Sequence, residues 1–443
     1  MKIAIVGTGI SGLAAAWLLR QHAEVTVYEK NAYAGGHTNT VAVREDGREI
    51  AIDTGFIVFN EHNYPNLTAF FHRLGVASHA SEMSFSASID GGQVEWSGDN
   101  LNTLFAQRRN LVSGGHWRML RDIWRFNRDG KRALREGLDA HISLGQFLDV
   151  RGYGRELRYR YLLPMAAAIW SSPMDRILEF SATSFLAFCE NHGLLNLVDR
   201  PQWRTVTGGA REYVRRILQP LEGRVFLGRA VTSIRRDASG VVISDVHGGR
   251  ERYDQVVMAA HGDETLGLLA DADGAERRLL APFRYQPNRA VLHTDAQLMP
   301  KSRRVWASWN YFADGPQREG AQVCLTYWMN RLQKLPSRRQ YFVTLNPMRK
   351  PAPGSVLYEA QYQHPVFSAE TLRAQREFGA IQGRRRTWFA GAWRGHGFHE
   401  DGLKSAIEVV EGMGYDVPWR RAHLGKRAER NAGRWTAPAL EQA

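Results

Sequence analysis

Lys2-Ile3-Ala4-Ile5-Val6-Gly7-Thr8-Gly9-Ile10-Ser11-Gly12 decides the fold of this chain. Its first five residues are a short apolar run, which predicts a buried strand. Gly7, Gly9 and Gly12 then form G-x-G-x-x-G, and the Ala/Leu-rich stretch from Leu13 to Arg20 predicts a helix. In the order strand, turn, helix this motif binds dinucleotides. Gly7 permits the turn, Gly9 lets backbone approach a pyrophosphate, and Gly12 lets the helix pack on the strand. The phosphates are expected on the free N–H groups of the turn, with Ser11 among them, at the positive end of the helix dipole. Glu24 to Tyr28 predicts a second strand, and Glu29 at its end is placed to accept hydrogen bonds from both ribose hydroxyls.

The whole chain sets the bounds. Its 443 residues exceed one compact core, so more than one domain is expected. A formal charge of +13 calls for an anionic partner or surface, and thirteen tryptophans suit a large apolar pocket or an interfacial contact. Cys189 and Cys324 are expected as free buried thiols in a reducing compartment, and no zinc spacing is present. The nucleotide strand begins at Lys2, so no signal peptide is expected. Tyr161 to Trp170 is broken by Pro164 and falls short of a membrane span. A cytoplasmic protein is expected, with any membrane contact peripheral and at the inner face.

After Glu29 come Lys30, then Gly35-Gly36-His37-Thr38, then a strand from Glu49 closing on Asp53-Thr54-Gly55-Phe56. With the first glycine motif, these pieces resemble the flavin amine-oxidase and carotenoid-desaturase superfamily, in which that segment runs along FAD. The resemblance implies an α/β fold: a Rossmann-type FAD-binding domain, amine-oxidase-like, interleaved with a mixed α+β substrate domain. It places the nucleotide domain at 1–75, 206–280 and 380–418 and the substrate domain at 76–205 and 281–379. A basic tail is expected over 419–443. Val231 falls where the superfamily covers adenine. Thr387 to Trp393, with Gly391, followed by His399-Glu400-Asp401-Gly402-Leu403 and a helix, resembles its closing motif, whose helix start faces the flavin. His37 is then a candidate to touch FAD or to bond it covalently, simple hydrogen bonding being the commoner role.

Between these pieces, Met83 to Ser88 and Gln93 to Trp96 flank Asp90-Gly91-Gly92 as a hairpin, and residues 100 to 200 are mostly helical. Arg108 to Arg135 is a basic stretch with interleaved Trp and Phe. It is either a helix lying on anionic lipid or a solvated cationic face with its tryptophans packed inward. From Ala290 to Tyr362 the pattern is β-rich and aromatic. Most of those rings are core, but Trp306, Trp309 and Tyr311 are dense enough to be assigned to a substrate wall, for which an amine-binding aromatic cage is the competing use. His396, His399 and Glu400 could be taken for metal ligands; without a further ligand cluster no metal is expected.

More narrowly, Asn191 to Leu195, Trp306 to Tyr311, Tyr327 to Gln333 and His399 to Gly402 resemble a bacterial subfamily of NAD/FAD-binding proteins. That subfamily is associated with cyclopropane-fatty-acid-synthase-like enzymes. One branch is similar to the methylated fatty-acid desaturases of furan fatty-acid synthesis. The resemblance implies hydride transfer to FAD from a methyl-branched unsaturated acyl chain of phospholipid, with His399 and His192 as candidate proton acceptors. An isolated His such as His192 is more often structural. The alternatives are an amine oxidase, an isoprenoid or carotenoid-type desaturase, or a non-catalytic flavin-binding partner of a lipid methyltransferase. The basic residues accompany no nucleic-acid recognition module, so nucleic acid is not expected as a partner.

Overall fold

The computed structural model describes residues 1–139, 142–170, 173–196, 201–315 and 324–420. Lys2–Val6 is the central strand of a five-stranded parallel sheet. Glu24–Tyr28 and then Val225–Phe226 lie on one side of it, Gln255–Met258 and Thr387–Phe389 on the other. Covered on both faces, Ile3, Ala4 and Ile5 are fully buried, as an apolar run in a parallel strand requires. In chain order the strands run third, second, first, fourth, fifth. The connections therefore diverge between Lys2–Val6 and Gln255–Met258, and a ligand crevice belongs at the carboxyl ends of those two strands.

Helix Ile10–Leu19 is buried along its whole length. The last helix, His399–Gly412, packs alongside it, Gly402 against Ile10 and Ser11, with Leu403, Ala406, Ile407 and Val410 in the shared core. The nucleotide fold is thus closed by segments from both ends of the described chain. On the other face of the sheet sits an antiparallel meander, Val231–Asp237, Gly240–Asp245 and Arg250–Tyr253. Val225–Phe226 and Val231–Asp237, though close in sequence, therefore belong to different sheets. Arg236, its side chain 1% exposed, forks onto Glu276 (Nη2–Oε2 2.9 Å) and bonds Asp271 (Nε–Oδ1 2.9 Å), tying the meander to the helix Gly274–Leu280.

The second large sheet has seven strands in the order Val356–Val366, Arg284–His293, Phe342–Leu345, Cys324–Trp328, Trp309–Phe312, Phe85–Ile89, Val94–Ser97. The Asp90-Gly91-Gly92 hairpin forms its edge, with Ile89 opposite Val94. Described helices between residues 101 and 191 cover this edge and build a core of their own around Trp96, Phe126, Phe147 and Phe185. Cys189 and Cys324 are free and buried. No helix among the described residues is long and apolar enough to cross a membrane.

Asp53 braces the two halves. Its buried carboxylate accepts from Thr40 Oγ1 (2.5 Å), Ala210 N (2.9 Å) and Gln333 Nε2 (2.8 Å), and its own N–H donates to Gln333 Oε1 (2.9 Å). Desolvation by burial pushes its pKa up to about 7. The expected tail boundary moves: Trp419 packs on Phe70, its Nε1–H reaching Asn66 Oδ1 (3.2 Å), because the nucleotide core needs one more ring there. The rest of the expected tail, 421–443, lies outside the described residues.

Candidate active site

A cavity of about 1330 Å³ opens at this crevice and extends into the helical half. At its nucleotide end the backbone is built for close approach. Gly7 has φ +107°, and a Cβ there would stand 2.7 Å from Ala259 O. On Gly12 a Cβ would stand 1.9 Å from Gly7 O, so only glycine lets the helix seat on the strand. A Cβ on Gly9 would meet nothing within 4 Å, and no side chain caps the start of helix Ile10–Leu19. Its first-turn N–H groups and positive dipole end therefore face the cavity, which Gly7, Gly9 and Ser11 line. Gly36, at φ +60°, lies against Gly9 Cα and narrows the same cradle.

Glu29 lines the cavity beside this turn. Its Oε2 takes both the N–H (2.9 Å) and the hydroxyl of Thr8, and Oε1 takes the N–H of Asn31 (2.8 Å). The carboxylate is thereby fixed in place, and Oε1 keeps an acceptor position for a ribose hydroxyl; the protein already uses Oε2 twice, which narrows the expected double grip. Val231, Lys30 and Gly35 line the same end, Lys30 paired with Glu264. An uncapped helix start, an open glycine and an oriented carboxylate make a donor set that fits the diphosphate and ribose of FAD.

Farther in, His37, Thr54, Gly55, Phe56 and Gly391 line the cavity. His399 stacks on Phe56 (centroids 3.7 Å apart), and its Nε2 lies 3.0 Å from Thr38 Oγ1 and 3.2 Å from Tyr213 OH. Thr38 and Tyr213 also bond each other. Burial lowers His399 to about 3, so its ring is neutral. His37 stacks on Tyr362 and His364 (5.2 and 5.5 Å), with His261 on Tyr285 (4.2 Å) completing a wall of rings. Burial, reinforced by the neighbouring imidazoles, holds His37 well below the ordinary histidine range. His192 stacks on Phe188 (3.9 Å) and bonds Phe188 O through Nδ1 (2.9 Å); burial lowers it to about 4. A neutral imidazole that gives its Nδ1 proton to that carbonyl carries its lone pair on Nε2.

Beyond the histidines, Phe85, Trp96, Tyr161, Met165, Trp170 and Phe188 line an apolar arm. Four carboxylates line the cavity among the described residues, and each is engaged: Glu29 by Thr8 and Asn31, Glu264 by Lys30, and Glu82 and Asp99 by Arg331.

Several expected contacts fall elsewhere. Of the aromatic wall only Trp309 reaches the cavity, packed edge-on against Tyr327 (5.0 Å). Tyr311 shares its face of the strand but lies one side-chain repeat farther along, under the helical core. Trp306 precedes the strand and joins a separate cluster with Met299 and Phe342, its Nε1–H on Pro300 O (2.8 Å). Thr38 is one layer back, behind His399. Asp401 does not line the cavity; it accepts the N–H groups of His396 and Phe398 (both 3.0 Å) and folds the loop before its helix. Gly402 packs against Ile10 and Ser11, and Leu403 points into the core, so both seat the last helix rather than line the cavity. Glu400 caps the helix Pro65–Leu74 through Asn66 N (3.0 Å) and Leu67 N (2.9 Å). No group of three metal-binding side chains occurs among the described residues. Tyr213, Tyr362 and His364 reach the site from distant segments, with no local motif to mark them. His261 could have been found, because it follows the strand Gln255–Met258 at the carboxyl edge of the parallel sheet.

Comparison with known proteins agrees with this geometry. A putrescine oxidase variant superposes with TM-score 0.67 at 16% identity, covering 93% of this chain and 98% of that one. A CLA-producing fatty acid isomerase from P. acnes gives 0.65 at 16%, over 92% and 97%. Cyclohexylamine oxidase from Brevibacterium oxydans IH-35A gives 0.63 at 16%, over 94% and 99%. At such identities the likeness establishes the fold. No curated protein matches the sequence. Residues 10–292, however, match the family described as flavin containing amine oxidoreductase, and this chain belongs to it as a FAD-dependent oxidoreductase.

Proposed function

We propose that this enzyme desaturates an uncharged acyl-type substrate, with methyl-branched unsaturated fatty acyl chains of phospholipid as the class. The observation that carries this is the state of the cavity's charges. An amine oxidised in this frame arrives as an ammonium ion, yet all four lining carboxylates are already engaged and the other end is an arm of aromatic and aliphatic side chains. A buried cation without a partner is costly, whereas an alkyl chain gains about 0.8 kcal/mol for each methylene removed from water. That the superposed structures include a fatty acid isomerase accords with such an arm.

FAD would be held by the Gly7–Gly12 turn, Glu29, Gly36 and Val231, and when bound supplies two-electron oxidation by accepting a hydride from carbon. The chain's own part is threefold. The aromatic arm holds the alkyl segment and keeps water out. His399, held by Thr38 and Tyr213 and stacked on Phe56, fixes the cavity wall, so its role is positioning. His192, with its lone pair on Nε2, takes up the proton that desaturation releases.

The test is anaerobic. Purified yellow protein is mixed with phospholipid bearing methyl-branched unsaturated chains, and the flavin band is followed. Bleaching together with a conjugated diene in the extracted lipid supports the proposal. A band that persists with lipid but bleaches with an amine, releasing peroxide in air, overturns it in favour of amine oxidation.

A further inference from the structure

The helix Gly114–Glu136 presents different chemistry on its two sides. Inward, Met119, Ile123 and Phe126 pack into the cluster that includes Trp96, Trp170 and Phe188, the same side chains that wall the apolar arm. Outward, Trp117, Arg121, Trp124, Arg128, Arg132 and Arg135 succeed one another at three- and four-residue steps and so form one stripe. Trp117 is 51% exposed and Trp124 55%. The preceding turn, Arg108–Val112, extends the stripe: Val112 is almost fully exposed, and Trp117 Nε1–H on Leu111 O (2.9 Å) holds the turn against the helix. Arg108 and Arg109 are exposed there as well.

Of the two alternatives for the basic stretch, the solvated face with tryptophans packed inward is excluded, because Trp117 and Trp124 face outward. Its acids are already used: Asp122 and Asp129 are buried and reach Arg121, Arg125 and Arg128 from below, Glu136 pairs with Arg132 and Glu156 with Arg118. Arg128 also lies over the Trp124 ring (5.0 Å). What remains is a cationic stripe studded with half-exposed indoles and flanked by the half-exposed Leu111 and the bare Val112. Indole prefers the boundary between apolar and polar phases, and arginine pairs with phosphate. A second copy of the chain would set this arginine stripe against a like one, which costs free energy.

We propose that the outer face of Gly114–Glu136, with the turn Arg108–Val112, docks this enzyme on an anionic phospholipid bilayer. Its purpose rests on the acyl-chain proposal above, because the docking helix is the outer wall of the cluster that lines the arm; its test does not. FAD-loaded full-length protein is sedimented with vesicles of phosphatidylcholine alone or with phosphatidylglycerol added. Binding is expected to the anionic vesicles only and to weaken with salt. Arg132→Gln with Arg135→Gln should reduce it roughly thirty-fold, and Trp117→Ala with Trp124→Ala roughly ten-fold. All four side chains are exposed, so flavin spectrum and urea midpoint should hold in both variants. Equal binding to neutral vesicles, absence of binding to either, or variants that bind like the parent would overturn docking. A dimer in solution that these substitutions dissolve would overturn it too, assigning the face to a second copy. Vesicle binding without lipid oxidation would overturn only the acyl-chain proposal, and oxidation of detergent-dispersed lipid without vesicle binding only the docking.

Discussion

His192 shows how one residue's role turns on a single hydrogen bond. With Nδ1 committed to Phe188 O and the ring neutral, Nε2 is the acceptor above about pH 4. Replacing it with Ala should lower kcat about 10²–10⁴-fold while the protein stays yellow, measured by single-turnover bleaching. The parent's rate should show no histidine titration between pH 5 and 8 and should fall only as pH drops toward about 4, where the imidazole protonates. Unchanged turnover in the variant would remove His192 from the chemistry. Glu29 is the other decisive side chain. Changing it to Ala leaves the Thr8 and Asn31 donors unpaired and removes the ribose acceptor, a loss of about 1–3 kcal/mol. FAD titrated into apo-protein should bind roughly five- to 150-fold more weakly.

Among elements, the most exposed to a single change is the meander joined by Arg236. The Arg236–Glu276 fork is buried on both sides, 1% and 2% exposed, so Glu276→Ala strands a guanidinium away from water with only Asp271 and Thr387 left to it. A loss of about 3–5 kcal/mol is expected, read as a lower urea midpoint for the nucleotide half. Arg236→Met together with Glu276→Leu should recover much of it, because no charge is then left buried. The capping carboxylate Glu400 is a milder case. Glu400→Ala leaves the first-turn N–H groups of Pro65–Leu74 unmet and should cost about 1–2 kcal/mol without removing FAD.

At the scale of the whole molecule, the buried histidines predict how it fails in acid. Burial holds His192, His293 and His364 at about 4, His399 at about 3, and His37 well below the usual value. Each is neutral in the fold and takes up a proton more readily when unfolded, so unfolding gains protons as pH falls. The stability concerned is intact above about pH 6.5 and is lost as pH falls from there toward 4. Asp53 has the opposite sign: with its folded value raised to about 7, its contribution is greatest at low pH and declines as pH rises from about 4 through 7. Burial raises Glu400 and Asp401 as well, but it also lowers His116 and His261, so the histidines outnumber the raised carboxylates and urea midpoints measured at stepped pH should drop below 6.5. A flat profile down to pH 4.5 would contradict the neutral histidine wall.

The nucleotide half was legible because its signals are local. An apolar run, three glycines at fixed spacing and an acid at the end of the next strand act within one βαβ unit, where backbone geometry leaves few alternatives. The closing helix could be read the same way, although the Asp401 carboxylate folds the loop before that helix rather than lining the cavity. What lay beyond reach depends on contacts between residues hundreds of positions apart. Tyr213 and Thr38 meet at His399, and Gln333 meets Asp53, only once two sheets are stacked. The aromatic wall failed for the same reason. Trp306, Trp309 and Tyr311 are equivalent as residue types, and strand direction, register and covering helices decide that Trp309 alone sees the cavity. Sequence by itself determined the family frame and the cofactor cradle, because those rest on short-range backbone sterics. Tertiary structure decided which charges in the cavity are already paired and which tryptophans face outward, because pairing and exposure belong to the packed chain and not to any stretch of it.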